Sequence, residues 1–154
     1  HFYSTANFSV QGNIMSLLYG DSFSGQTSLA NTVGAFRELF TSLDYLISAE
    51  NLVLPTTLAN KCFNKMFYDC EHLIKAPVLS ASTLADNCYE LMFSQCLRLT
   101  NITCLATDIS ATDCTKEWVD GVPSSGTFVK ASSMNDWTIG INGIPSGWNV
   151  INHV

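Results

Sequence analysis

Within residues 57–105 one pattern is written twice, 26 positions apart. Leu58-Ala59-Asn60-Lys61-Cys62-Phe63-Asn64-Lys65-Met66-Phe67-Tyr68-Asp69-Cys70 leads to Leu73 and Leu79. Leu84-Ala85-Asp86-Asn87-Cys88-Tyr89-Glu90-Leu91-Met92-Phe93-Ser94-Gln95-Cys96 leads to Leu99 and Leu105. The matched positions are apolar, while most residues between them vary. A period in the range of about 20 to 50 residues marks an array whose units cannot bury their apolar faces alone, so each needs its neighbours.

Two weaker copies flank the pair. Leu29-Ala30-Asn31 matches Leu58-Ala59-Asn60, and Phe40, Leu43, Leu46 and Leu52 match Phe67, Cys70, Leu73 and Leu79. Beyond the second copy, Ala111, Cys114 and Trp118-Val119 match Ala85, Cys88 and Met92-Phe93, with Phe128 at the Ile102 position. Apolar residues at 0, 4, 8 or 9, and 12 predict two to three turns of helix in each unit. Ala35-Phe36-Arg37-Glu38-Leu39-Phe40 has helical composition as well, with Phe36, Leu39, Phe40 and Leu43 on one face. The segments 73–79, 99–105 and 127–130 read as short strands. The expectation is an α/β solenoid of strand-turn-helix units, about 26 residues each, with the strands paired in a narrow parallel sheet.

Three regions of one domain follow from this. Residues 1–25 read as an N-terminal strand cap, built on the alternation at Phe8 and Val10 and on a run at 14–19. Residues 26–131 carry the repeats, and 132–154 a C-terminal cap with a serine-capped helical turn near 132–137. Trp137 and Trp148 are placed to seal the last unit.

Charged residues are 13% of the chain, against roughly 25% in an average domain. A net charge of −6, with seven Lys and Arg and no basic stripe, excludes a nucleic-acid partner. No run approaches the ~18 apolar residues of a transmembrane helix. The chain opens His1-Phe2-Tyr3 without a starting Met, which reads as a trimmed piece of something longer.

The six cysteines occupy repeat positions: Cys62, Cys88 and Cys114 recur at the period of the pattern, as do Cys70 and Cys96. They therefore read as free, core-filling thiols, with Cys104 and Cys114 closest to an alternative local disulfide. No Cys-x-x-Cys exists and histidines stand only at 1, 72 and 153, so no zinc site is expected. Nor does any catalytic or cofactor motif emerge. Gly121 and Gly126 lack the Lys-Ser/Thr of a phosphate loop, and His72 reads as an exposed polar end. Asp108, Asp113, Glu117 and Asp120 read as solvated acids near a helix start, with a weak calcium site as the alternative.

Recognition is expected where the copies differ. On the strand side these are Lys75, Asn101 and Thr103; on the helix side they are Tyr68, Leu91 and Leu97, the two leucines forming a surface ridge. Ser94, the counterpart of Tyr68, also falls on that side.

The repeats resemble the BspA-like leucine-rich repeats of exported and surface proteins of anaerobic bacteria. The likeness lies in Leu58-Ala59-x-x-Cys62-x-x-x-Met66-Phe67-x-x-Cys70-x-x-Leu73 and its second copy, and extends to Gly12-Asn13-Ile14-Met15-Ser16-Leu17, to Ile102-Thr103-Cys104-Leu105 and to Gly143-Ile144-Pro145-Ser146-Gly147-Trp148. It implies a right-handed leucine-rich-repeat solenoid, secreted or held at a bacterial cell surface. It also implies adhesion or protein binding, with no catalytic residues to carry over. The function expected is thus a non-enzymatic module that binds protein or glycan. The alternative is a spacer or tip domain of a larger surface or phage tail-fibre assembly that self-associates into an oligomer.

Overall fold

The computed structural model describes residues 3–154. Its strands are β1 (Phe8–Asn13), β2 (Leu46–Val53), β3 (Asn101–Cys104), β4 (Thr127–Lys130) and β5 (Asn149–Asn152). All pair in parallel, as β1-β2 and as β3-β4-β5. Single bridges, Ser48 to Lys75 and Leu79 to Cys104, stand between the two sheets. Pro77 lies in this gap and has no N–H to give, so a continuous ladder cannot form across it. The strands expected over 73–79 reduce to those isolated bridges.

The helices expected in each repeat are absent, and the strand-turn-helix leucine-rich-repeat solenoid is not the architecture. Helix is confined, among the described residues, to α1 (Ser16–Tyr19) and the 3-10 turn Gly20–Ser22 that follows it. That segment also replaces the strand expected over 14–19. Of residues 132–137, the first two form a turn, closed by the Met134 N–H on the Ala131 carbonyl, and the rest are irregular, with no helix.

In place of helices the chain forms rows of consecutive turns at 33–42, 60–69, 86–95 and 112–121. Their amides alternate between two destinations. Cys62, Asn64, Met66, Tyr68 and Cys70 donate to the carbonyl three residues back. Lys61, Phe63, Lys65, Phe67 and Asp69 donate instead to Asp86, Cys88, Glu90, Met92 and Ser94 in the next row, at 2.9 to 3.0 Å. An α-helix sends every amide to the residue four back, so half of its bonds are exported here. Left-handed residues every fourth position make this possible: Lys61, Lys65 and Asp69 at φ 59°, 55° and 59°, then Asn87, Leu91 and Gln95 at 55°, 56° and 63°. A repeat of four residues turns two adjacent side chains inward and the next two outward, whereas a helix distributes them at 3.6. Cys62 and Phe63, then Met66 and Phe67, are accordingly fully buried.

Stacking each row on the next superimposes like side chains. Phe36, Phe63, Tyr89 and Trp118 form one aromatic column, with centroids 5.9, 6.2 and 6.1 Å apart and near-parallel rings. Phe40, Phe67 and Phe93 form a second, at 5.5 and 5.8 Å, and it too ends on Trp118. Trp137 then stacks on Trp118 at 5.6 Å and 2°. Offset stacking adds about 0.5–1.5 kcal/mol per pair beyond the burial itself. Phe128 of β4 meets Trp118 edge-on, so the strands and the turn rows close over opposite sides of one core.

At the C-terminal end the last row is closed by side chains as well as backbone. Asn142 supplies Oδ1 to the Glu117 N–H and its carbonyl to the Thr115 hydroxyl, while the Val119 N–H reaches the Ile141 carbonyl. The indoles of Trp118 and Trp148 donate to the carbonyls of Gly143 and Pro123. Gly126 makes room for this, since a Cβ there would lie 2.7 Å from the Trp148 ring.

The two backbones, turn row and helix, respond oppositely to glycine. In a helix Leu91→Gly would cost about 1 kcal/mol. At φ 56° the same change relieves a left-handed strain of about 1 kcal/mol or more, which offsets the lost chain rigidity. We expect Leu91→Gly to leave the unfolding free energy unchanged or slightly raised. Leu91→Ile, β-branched, should lower it by about 1–2 kcal/mol. Denaturant titration of both variants checks the pair.

Candidate functional site

The outward residues of the strands form ladders across the stack. In β3-β4-β5 the register sets Asn101 beside Thr127 beside Asn149, and Thr103 beside Val129 beside Ile151. Between them Ile102 and Phe128 point into the core. Asn101 is exposed and Thr103 half-buried. In the other sheet Ser9 pairs with Ser48, which bridges to Lys75. The Lys75 ammonium donates to both carboxylate oxygens of Glu50, at 3.1 and 3.0 Å, with the two side chains 56% and 45% exposed. At that exposure the pair contributes little to stability, so its place on the face matters more than its strength.

Lys75, Asn101 and Thr103 thus belong to the strand side, though Pro77 separates Lys75 from the sheet that carries the other two. Sequence reasoning missed Glu50, which sits in an imperfect copy, and the outward residues of β4 and β5. Thr127 and Val129 lie one full repeat beyond Asn101 and Thr103 and were within reach of the pattern. Asn149 was not, because β5 follows β4 sooner than a full repeat would bring it.

The remaining candidates lie around the turn rows. Tyr68 is half-buried beneath the Lys65 ammonium, 5.8 Å from its ring centroid. Leu91 is half-buried and Leu97 is 47% exposed, so the expected ridge of two leucines has one prominent member. Ser94 is 2% exposed and belongs to the interior. Where a row must bury polarity, it does so in pairs: Asn64 and Asn87 both donate their side-chain amides to one carboxylate oxygen of Glu90.

The acidic residues are engaged locally. Asp108 accepts from the backbone and hydroxyl of Ser110, which holds its carboxyl below the ordinary range, and Asp113 lies 3.9 Å from Lys116. Among the described residues no group of three or more His, Cys, Asp or Glu is placed to hold a metal ion. No helix among them is long and apolar enough to cross a membrane.

All six cysteines are free and buried. The thiols of Cys70 and Cys96 donate to the carbonyls of Phe40 and Phe67, at 3.0 and 3.2 Å. Burial pushes Cys62, Cys70 and Cys104 up to about 12, and Cys88 and Cys96 are raised as well. Such thiols are poor nucleophiles and serve as core packing.

No protein-family model matches the chain, and no curated protein or solved structure matches it either. The geometry alone defines the class: a stack of hydrogen-bonded turns with a laddered strand face.

The thiols set an alkaline limit on stability. Unfolded, each ionises near 9.0; buried, it holds its proton to about 12. Their contribution is therefore intact below pH 9 and is lost as pH climbs from 9 to 12, by about 1.4 kcal/mol per pH unit for each excluded thiol. We expect the denaturant midpoint to be flat from pH 7 to 8.5 and to fall steeply above 9. Replacing Cys62 and Cys104 by Ala should reduce that slope. Disulfide exchange with an aromatic disulfide reagent at pH 8, read by the thiolate it releases, should be slow on native protein and count six thiols once it is unfolded.

Proposed function

We propose that this chain is a non-enzymatic binding or adhesion module that recognises a protein or glycan ligand through its strand face. The observation that supports this most is the ladder of Asn101, Thr127 and Asn149 beside Thr103, Val129 and Ile151, held in register by parallel backbone hydrogen bonds. Side chains fixed on paired strands lose little further freedom on binding, the main cost that a binding surface must limit. These outward β3-β5 ladders carry no charged side chain, which suits hydroxyl, amide and aliphatic partners. Secretion or display at a bacterial surface forms part of the proposal and rests on the sequence resemblance alone.

A second reading has an observation of its own. β1 and β5 are each paired on one side only, and Val150 and Ile151 of β5 are 38% and 44% exposed. Exposed edges of this kind favour self-association, as a spacer or tip domain of a larger assembly would use.

Purified protein presented to extracellular-matrix proteins and glycans, beside light scattering of the protein alone, separates the two. The binding reading expects a saturable partner whose affinity falls at least tenfold when Asn101, Thr103 and Thr127 are changed together to Ala. A defined oligomer with no captured partner supports the structural reading, and a monomer with no partner contradicts both.

A further inference from the structure

We propose that the groove between β1, β2 and the chain at Lys75 is a saccharide subsite that takes one neutral pyranose ring by a pair of vicinal hydroxyls. This rests on the strand-face binding reading and gives it a ligand chemistry. The groove encloses about 290 Å³. That is the lower end of small-molecule sites, room for a single sugar ring rather than a peptide segment.

Its chemistry is unlike the rest of the face. Ile47 and Ile74 line it half-buried, yet neither belongs to the apolar core, so they face outward as an aliphatic floor. The Ile74 N–H donates to the Ile47 carbonyl and holds the two side by side. Around them stand Ser48, Gln11 and the Lys75–Glu50 pair. The chain makes this recess by breaking regular pairing. The β1-β2 register slips between Phe8 and Ser9 and again between Ser9 and Gln11, and β2 meets the next coil at a single isolated bridge, Ser48 to Lys75, in place of a ladder.

The ion pair supplies the specificity. Lys75 places its ammonium against both oxygens of Glu50, leaving a third N–H on the cation and spare lone pairs on the carboxylate. Adjacent hydroxyls on a pyranose present an acceptor beside a donor, and this pair presents a donor beside an acceptor. Both bonds are charge-assisted. The pair is neutral overall, so a ligand of net charge gains nothing. The C–H face of the ring would lie on Ile47 and Ile74.

The test is titration of the full chain with methyl pyranosides of mannose, galactose and glucose, followed by amide chemical shifts. Their permethylated counterparts serve as probes without hydroxyl donors. The proposal expects saturable shifts at Ser48, Glu50 and Lys75 for at least one pyranoside, and none for its permethylated form. Glu50→Gln and Lys75→Met should each weaken binding at least tenfold while thermal unfolding stays within a few degrees of the parent. Equal binding by the permethylated sugars, undiminished binding by both variants, or no shifts for any pyranoside would overturn it. In that last case, a larger ligand still lost on changing Asn101, Thr103 and Thr127 would leave the strand-face reading standing without this subsite.

Discussion

Everything in this chain depends on where alternate amides of the turn rows send their hydrogen bonds. Lys61, Phe63, Lys65, Phe67 and Asp69 donate across to the next coil, and Asn87, Tyr89, Leu91, Phe93 and Gln95 do the same one coil later. A buried backbone amide must be paired, so the row cannot exist without the row beside it. That condition sets the order of dependence. Stacking satisfies the backbone, the backbone brings matched aromatic rings to 5.5–6.2 Å, and the ring columns fill the core. The reverse does not hold, because the side chains alone would accept a helix equally well.

The same stacking explains how a chain with so little regular secondary structure offers a usable surface. Each coil adds one residue to every outward ladder, and the ladder's spacing is the separation of neighbouring strands, about 4.8 Å. Where the pairing is regular, at β3 to β5, the outward ladders run without a register shift. Where it is irregular, at the slipped register of β1-β2, a recess opens that holds the only ion pair joining one coil to another among the described residues. Irregularity in the array and chemical distinctiveness on its surface thus coincide.

The repeat, its period and its buried positions were legible in the sequence. Cys62, Met66, Phe67, Cys70, Leu73 and Leu79 stand out by recurrence, and all are fully buried. The strand at Thr127–Lys130 was legible from its β-branched and aromatic residues. The turn rows were not, because spacings of 4, 8 and 12 satisfy both a helix and a four-residue turn. What separates the two is adjacency: Phe63 beside Cys62 and Tyr89 beside Cys88 are buried neighbours that a narrow helical stripe would not place together. A second signal lay in the residues at every fourth outward place. Gly34, Asn87, Asp113 and Gly121 are types that tolerate a left-handed backbone, although Leu91 and Lys65 at the same place concealed the pattern. Of the candidate site, Lys75, Asn101 and Thr103 were legible as variable strand positions. Glu50 was hidden because the first copy is degenerate, and the recess depends on a register that one-dimensional spacing does not carry.

Scalar coupling across hydrogen bonds, measured by NMR between amide nitrogens and carbonyl carbons, distinguishes a stack of turns from a helix bond by bond. The amide of Phe67 should couple to the carbonyl of Met92 and that of Lys65 to Glu90, in each case across to the following coil. Coupling of those amides to Phe63 and Lys61 instead, four residues back, would mean a helix and would contradict the stack of turns on which the face and its recess are built.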